Sequence, residues 1–186
     1  MMTKEERSIL ETLDKIVHSE PVRSRIEPII TRVRADLANK PDALMSWEPV
    51  ELEAFGEQLP AAIQSGWIFI LRAGVDTGAE RHPNSHQRML TFDGSGDMKI
   101  DATGMANEVE AESEIAWHSH KLISDPKTPL ERRWISIPRN IWHRPITAKD
   151  AEWVVVSFHT VPAAELIEER PGAKQILYET ERKRRD

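Results

Sequence analysis

The sequence predicts a mainly β fold, a barrel with helices attached before and after it. Three observations carry that reading. Helical periodicity is confined to about the first forty residues and the last twenty-five. Between them lie strand-like runs too short for helices, at 67–71, 86–92, 134–138 and 153–158, separated by Pro, Gly, Asn and Asp. The composition, 39% apolar and 30% charged over 186 residues, allows a real hydrophobic core and argues against long disorder.

The elements follow in order. Thr3-x-x-Glu6 resembles a capping box, and Ile9, Leu10, Leu13, Ile16 and Val17 then recur at helical spacing over residues 4–18. A second helix starts at Ser19-Glu20-Pro21, with Pro in the first turn where its missing N–H costs nothing. Val22, Ile26, Ile29, Ile30, Val33 and Leu37 continue its stripe, with a kink or a split expected at Pro28. Residues 1–46 thus form a helical extension that packs on the main body, the alternative being a homodimer contact. Residues 47–161 form the barrel. Residues 67–71 are a strand apolar on both faces, and 86–92 place His86, Arg88, Leu90 and Phe92 on one face. Asp93 to Asp97 is turn chemistry, and residues 134–138 and 153–158 are further strands. Residues 162–186 are expected as C-terminal helices packed on the same body, one running to Arg170 and one over 173–183.

Net charge is −6, which disfavours nucleic acid and anionic membrane surfaces, since phosphate binding needs a basic face. With no cysteine there is neither a disulfide framework nor a thiolate nucleophile or ligand. The charged first residues lack an apolar signal core, and no run reaches membrane-spanning length, so a cytoplasmic location is the expectation.

Chemistry gathers between Gly74 and Gly94. Glu80 and His82 are two apart, so an extended strand sends both side chains from one face. Pro83-Asn84-Ser85 is a turn, which we expect to fold the chain into a hairpin with His86 brought back opposite His82. Nitrogen and oxygen donors on such a hairpin are the start of a metal site for Fe, Mn, Ni or Zn as the divalent ion. Further on, Asn140 follows a strand directly. Asn is the non-glycine residue that best tolerates positive φ, so a tight turn there returns His143 toward the sheet.

Together these two segments resemble the cupin superfamily, built on a double-stranded β-helix barrel. Its first motif runs Gly, five residues, His-x-His, three or four residues, Glu, six residues, Gly. This chain has Gly74, five residues, Glu80-x-His82, three residues, His86, seven residues, Gly94. Its second motif includes Pro-x-Gly-x-x-His, and Pro138-x-Asn140-x-x-His143 matches with Asn in the glycine place. The resemblance covers about residues 65–160. It implies a metal held by Glu80, His82, His86 and His143, with carboxylate and imidazole permuted relative to the family. A four-residue gap would instead put Gln87 in the Glu position.

Other residues are weighed beside these. Arg88, two past His86, is expected to face the barrel interior, paired either with an internal acid or with the carboxylate of a small organic acid. Trp142 and Gln87 are candidate pocket walls. His118 and His120 are spaced for a strand-borne pair but lie outside both motifs. His159 shares a strand face with Trp153, Val155 and Ser157, where a hydrogen-bonded core or rim histidine is expected. Glu108, Glu110, Glu112 and Glu114 read as a solvated strand face or loop, the alternative being a hard-cation site. The resemblance implies a metal-dependent dioxygenase or isomerase. The alternatives are a non-catalytic ligand-binding or sensory cupin and, third, an Fe(II)/2-oxoglutarate oxygenase.

Overall fold

The computed structural model describes residues 2–104, 109–173 and 176–177. Two helices, α1 (Lys4–His18) and α2 (Glu20–Ala38), precede the strands β1 (Met45–Val50), β2 (Ser65–Leu71), β3 (Gln87–Asp93), β4 (Ser95–Asp101) and β5 (Trp117–Ile123). The strands β6 (Trp134–Ile137), β7 (His143–Thr147), β8 (Trp153–His159), β9 (Ile167–Glu168) and β10 (Ile176–Leu177) complete the order. The strands form one antiparallel sheet in the order β1-β2-β8-β3-β6 and a second in the order β5-β4-β7, with β9 and β10 paired apart. The two larger sheets face each other, and the helices cover the outer face of the first.

This layering explains why the β2 and β8 sequences show no alternation. On β2, Trp67, Phe69 and Leu71 enter the core between the sheets, while Ile68 and Ile70 enter a second core beneath the helices. On β8, Trp153 and Val155 face the barrel, while Val154, Val156 and Phe158 face the helices. Strands buried on both faces have no polar side to mark their phase.

The helices start and pack as their sequence predicts, with one difference. Thr3 Oγ1 accepts the Glu6 backbone N–H at 3.1 Å, so Thr3 caps α1, and Leu10, Leu13 and Val17 are buried. The helix α2 is not split at Pro28. Pro28 lies on the exposed side, while Val22, Ile26, Ile30, Val33 and Leu37 hold the other side against the sheet. Two acids of α1 anchor it further. Asp14 pairs with Arg133 and accepts Trp134 Nε1–H at 2.8 Å, and Glu6 pairs with Arg88.

The C-terminal helices require correction. Residues expected as a helix to Arg170 form one 3-10 turn, Ala163–Glu165, followed by β9. Leu166 enters the barrel core, and the adjacent acids Glu168 and Glu169 are both buried, paired with Arg170 and Arg81 respectively. Neighbouring residues leaving on opposite sides is strand geometry, and a bridge from Arg81 to Glu169 fixes it. Of the expected helix over 173–183, residues 176–177 are strand β10, and most of the rest lies outside the described residues.

Candidate metal centre

Residues 76–82 run beside β7 through bridges Asp76 to Ile146 and Glu80 to His143. Glu80 and His143 exchange both backbone hydrogen bonds, each at 2.8 Å, which sets their side chains side by side. Asn140 delivers His143. It is the one described non-glycine residue at positive φ, 64°, and its backbone N–H donates to the His82 carbonyl at 2.9 Å. The bend at 140 therefore forms as its sequence predicts.

Glu80, His82 and His143 converge, with one potential ligand atom from each lying within 4.8 Å of the others. All three are buried, His143 completely. Both histidines are oriented from behind: His82 Nδ1 is 2.9 Å from the Ile167 carbonyl and His143 Nδ1 is 3.1 Å from the Ile141 carbonyl. A carbonyl only accepts, so each Nδ1 donates its proton backward and each Nε2 is the ring nitrogen left for a ligand role. The His143 Nε2 is buried without a hydrogen-bond partner and stands 3.4 Å from Glu80 Oε1. A buried imidazole nitrogen without a hydrogen-bond partner beside a carboxylate oxygen is an arrangement that a shared metal cation would resolve. The donor set fits a divalent transition metal.

Charge is tuned to match. Burial alone would raise the Glu80 carboxyl, but the Arg170 cation, then His143 and His82, outweigh it and bring it to about 2. Arg170 Nη2 lies 2.8 Å from Glu80 Oε2, leaving Oε1 toward the histidine. Burial, and next His143, lower His82 to about 4. At neutral pH the set is therefore one carboxylate and a neutral His82 imidazole, the forms that bind metal.

His86 is not among the donors. The turn at 83–85 forms, but it is a corner between sheets and not a hairpin. Residues before it bridge to β7 and to Glu169 just after β9, while β3 after it pairs with β6 and β8. His86 consequently leaves on the helix side, where its Nε2 meets Ser136 Oγ at 2.7 Å and Glu6 at 3.7 Å. Arg88 shares that face. Its guanidinium is paired twice with Glu6, at 2.7 and 2.8 Å, so it docks α1 and does not enter the barrel. Trp142 also points away from the donors, stacked under the Arg81 guanidinium at 4.5 Å among Ala79 and Ile115. His118 and His120 form a ring pair on β5 with centroids 4.8 Å apart. They are not part of the donor group among the described residues. Of the four acids at period two, Glu108 lies outside the described residues, Glu112 pairs with Arg144, and Glu112–Glu114 is a short 3-10 turn.

Gln87 is inside. It lines a cavity of about 30 Å³ with Glu80, His82, Met45, Phe69, Leu71, Met89, Met98, Pro145, Trp153 and Val155. Its Nε2 donates to Ser157 Oγ at 3.2 Å, and its Oε1 is buried without a hydrogen-bond partner. Ser157 Oγ also lies 3.3 Å from His159 Nε2, while His159 Nδ1 lies 3.2 Å from Ser85 Oγ. His159 is the satisfied core histidine its strand face predicts. Its ring meets that of His82 at 5.1 Å, and burial, followed by His82 and His143, drives its proton affinity well down. Sequence reasoning missed Arg170, which lies beyond both motifs in a segment read as helix. The pair Glu168 and Glu169 beside it was its only signal. A larger groove, about 920 Å³, runs between α1, α2 and residues 52–59, and no histidine lines it.

No family model matches this chain, and no curated protein matches it. Among solved structures it is similar to a variant of salicylate 1,2-dioxygenase from Pseudoaminobacter salicylatoxidans in complex with gentisate. That likeness has a TM-score of 0.55 at 13% identity, covering 79% of this chain and 36% of the dioxygenase. It is also similar to oxalate oxidase in complex with glycolate (TM-score 0.45, 11% identity, 74% of this chain and 56% of the oxidase). The capsular polysaccharide assembling protein CapF from Staphylococcus aureus is a further neighbour (TM-score 0.45, 13% identity, 64% of this chain and 29% of CapF). The chain spans about a third of the dioxygenase's length. Two facing antiparallel sheets, the corner at 83–85 and the likeness at TM-score 0.55 agree: this chain has the cupin fold, a double-stranded β-helix barrel.

Proposed function

We propose that this protein is a metal-dependent cupin enzyme of the dioxygenase type, holding one divalent transition metal with Glu80, His82 and His143. Two histidines and one carboxylate with further positions open is the donor set of non-haem Fe(II) oxygenases. The observation that carries the reading is the buried His143 Nε2, without a hydrogen-bond partner and facing Glu80 Oε1. Gln87 Oε1 takes the fourth place in this reading, as a neutral oxygen donor on the cavity wall. Iron bound there would supply O₂ activation, and the other candidate divalent ions Lewis acidity.

The remaining residues have definable work. Arg170 holds Glu80 ionised and turns Oε1 toward the histidines. The carbonyls of Ile167 and Ile141 fix the imidazole tautomers. Met89, Phe69, Leu71 and Trp153 exclude water and pack an apolar ligand body. The structural likeness to a dioxygenase supports this class over an isomerase, and a non-catalytic ligand-binding or sensory cupin is the runner-up.

Elemental analysis of protein purified without a metal-affinity tag tests the centre, and O₂ uptake with small carboxylic acids tests the class. About one equivalent of iron with O₂ uptake independent of 2-oxoglutarate is expected. Uptake that requires 2-oxoglutarate would move the protein to the other oxygenase class. Metal without any turnover would make it a binding module.

A further inference from the structure

We infer that Ser157 and His159, with Ser85 behind them, are positioning residues: a one-way hydrogen-bond chain fixes the Gln87 amide with its oxygen, not its nitrogen, toward the cavity. The consequence for metal binding rests on the reading above; the direction of the chain does not. Period-two alternation on β8 sends Ser157 and His159 to the barrel face with Trp153 and Val155. On the adjacent strand β3, Gln87 is the register partner of His159, and Met89 that of Ser157. Gln87 therefore lies beside both. Ser157, His159 and Ser85 are at most 1% exposed, so their polar atoms must satisfy one another.

The contacts run in series. Gln87 Nε2 stands 3.2 Å from Ser157 Oγ, and Ser157 Oγ 3.3 Å from His159 Nε2. His159 Nδ1 stands 3.2 Å from Ser85 Oγ, and Ser85 Oγ 3.3 Å from the His86 carbonyl. The Thr160 backbone N–H also donates to Ser85 Oγ, at 3.1 Å. Each hydroxyl has one proton to give, and His159, held neutral by burial, donates from one ring nitrogen and accepts at the other. The far end sets the sense, because a carbonyl only accepts. Ser85 gives its proton to His86 and so accepts from His159 Nδ1–H. His159 Nε2 then accepts from the Ser157 hydroxyl, which in turn accepts from the Gln87 amide N–H. This sense uses every contact. In the opposite sense Ser85 would donate to His159, the His86 contact would be lost, and Ser157 would point its proton at the amide.

Gln87 Oε1 is the atom left over, and it is buried without a hydrogen-bond partner. Gln87 lines the cavity with Glu80 and His82. Turned the other way, the amide would present N–H donors to groups that bind a cation through lone pairs, and it could not ligate. The chain thus decides whether Gln87 is an oxygen donor to the centre.

Two measurements on the full chain test this. In metal-free protein with isotopically labelled histidine, long-range proton–nitrogen correlation reads which ring nitrogen of His159 carries the proton. The chain requires Nδ1–H, and any other ring state overturns the inference; no variant is needed. Co(II) titration then reads the consequence as a double-variant cycle. Ser157→Ala frees the amide and should lower Co(II) affinity by roughly fivefold, the worth of one hydrogen bond. In a Gln87→Met background the same change should alter affinity by less than about twofold, since no amide is left to orient. A merely structural role for Ser157 would lower affinity equally in both backgrounds, and that result overturns the positioning role. Unaltered protein that takes up no Co(II) removes the metal reading, and the His159 tautomer then decides the direction of the chain by itself.

Discussion

Removing Glu6 tests whether Arg88 belongs to the helix interface or to the pocket. The Arg88 side chain is 5% exposed and that of Glu6 15%, and two charge-assisted hydrogen bonds join them. Ser136 Oγ donates to the same Glu6 oxygen at 2.7 Å, and His86 stands beyond it. In Glu6→Ala the guanidinium stays buried without its counter-ion. Breaking a buried pair from one side costs about 3–5 kcal/mol, and the partial exposure of Glu6 places this one near about 3 kcal/mol. For a chain of this size that corresponds to a Tm lowered by about 6–12 °C. Replacing both partners with apolar residues, Glu6→Leu with Arg88→Met, should restore stability to within about 1 kcal/mol, since neither charge is then stranded. Urea denaturation of the two single variants and the double variant measures the coupling. Metal affinity should not change in any of them. A Glu6→Ala cost below about 0.5 kcal/mol, against the 3 expected for a buried pair, would refute the reasoning, as would loss of metal binding in Arg88→Met.

Two further predictions concern the site and its supports. In metal-free protein, His82 has its folded-state proton affinity lowered from 6.5 to about 4, so the unfolded chain binds more protons between those values and stability falls as pH drops through that window. The loss is on the order of 3 kcal/mol from His82, with His159 acting in the same direction. The depressed Glu80 adds a second loss from about pH 4.5 down to about 2. Denaturation midpoints measured from pH 7 to pH 4 without metal check the sign; a flat profile contradicts it. At the turn, Asn140→Gly should be neutral or slightly stabilising because φ is 64°, while Asn140→Val should cost about 1–2 kcal/mol and loosen metal binding by displacing His143. Denaturation and metal titration of the two variants together check this.

What the sequence makes legible here follows local rules. Thr3 caps α1, Asn140 bends, and Glu80 and His82 share a face, because caps, turns and period-two alternation depend on neighbours in the chain. The phase of β3 was not legible. Its helix-facing residues are Arg88 and Leu90 and its barrel-facing residues are Gln87 and Met89, so each face mixes polar with apolar and neither is marked as the pocket. Only the arrival of Glu6 from α1 explains why Arg88 belongs outside. The reading of 83–85 as a hairpin failed for a related reason: turn chemistry specifies a reversal of direction but not which sheet the chain joins afterwards. Arg170 was hidden by a helical reading that the strand-like bridge between Arg81 and Glu169 overrides.

The most direct test of the centre compares His143→Ala and His82→Ala with His86→Ala in a titration of the apoprotein with Fe(II) or Co(II). Unaltered protein and His86→Ala should each bind about one equivalent, because His86 faces Ser136 and Glu6, and His82→Ala and His143→Ala should each lose at least tenfold in affinity. Retention of full affinity in His143→Ala, or its loss in His86→Ala, would contradict the three-residue centre.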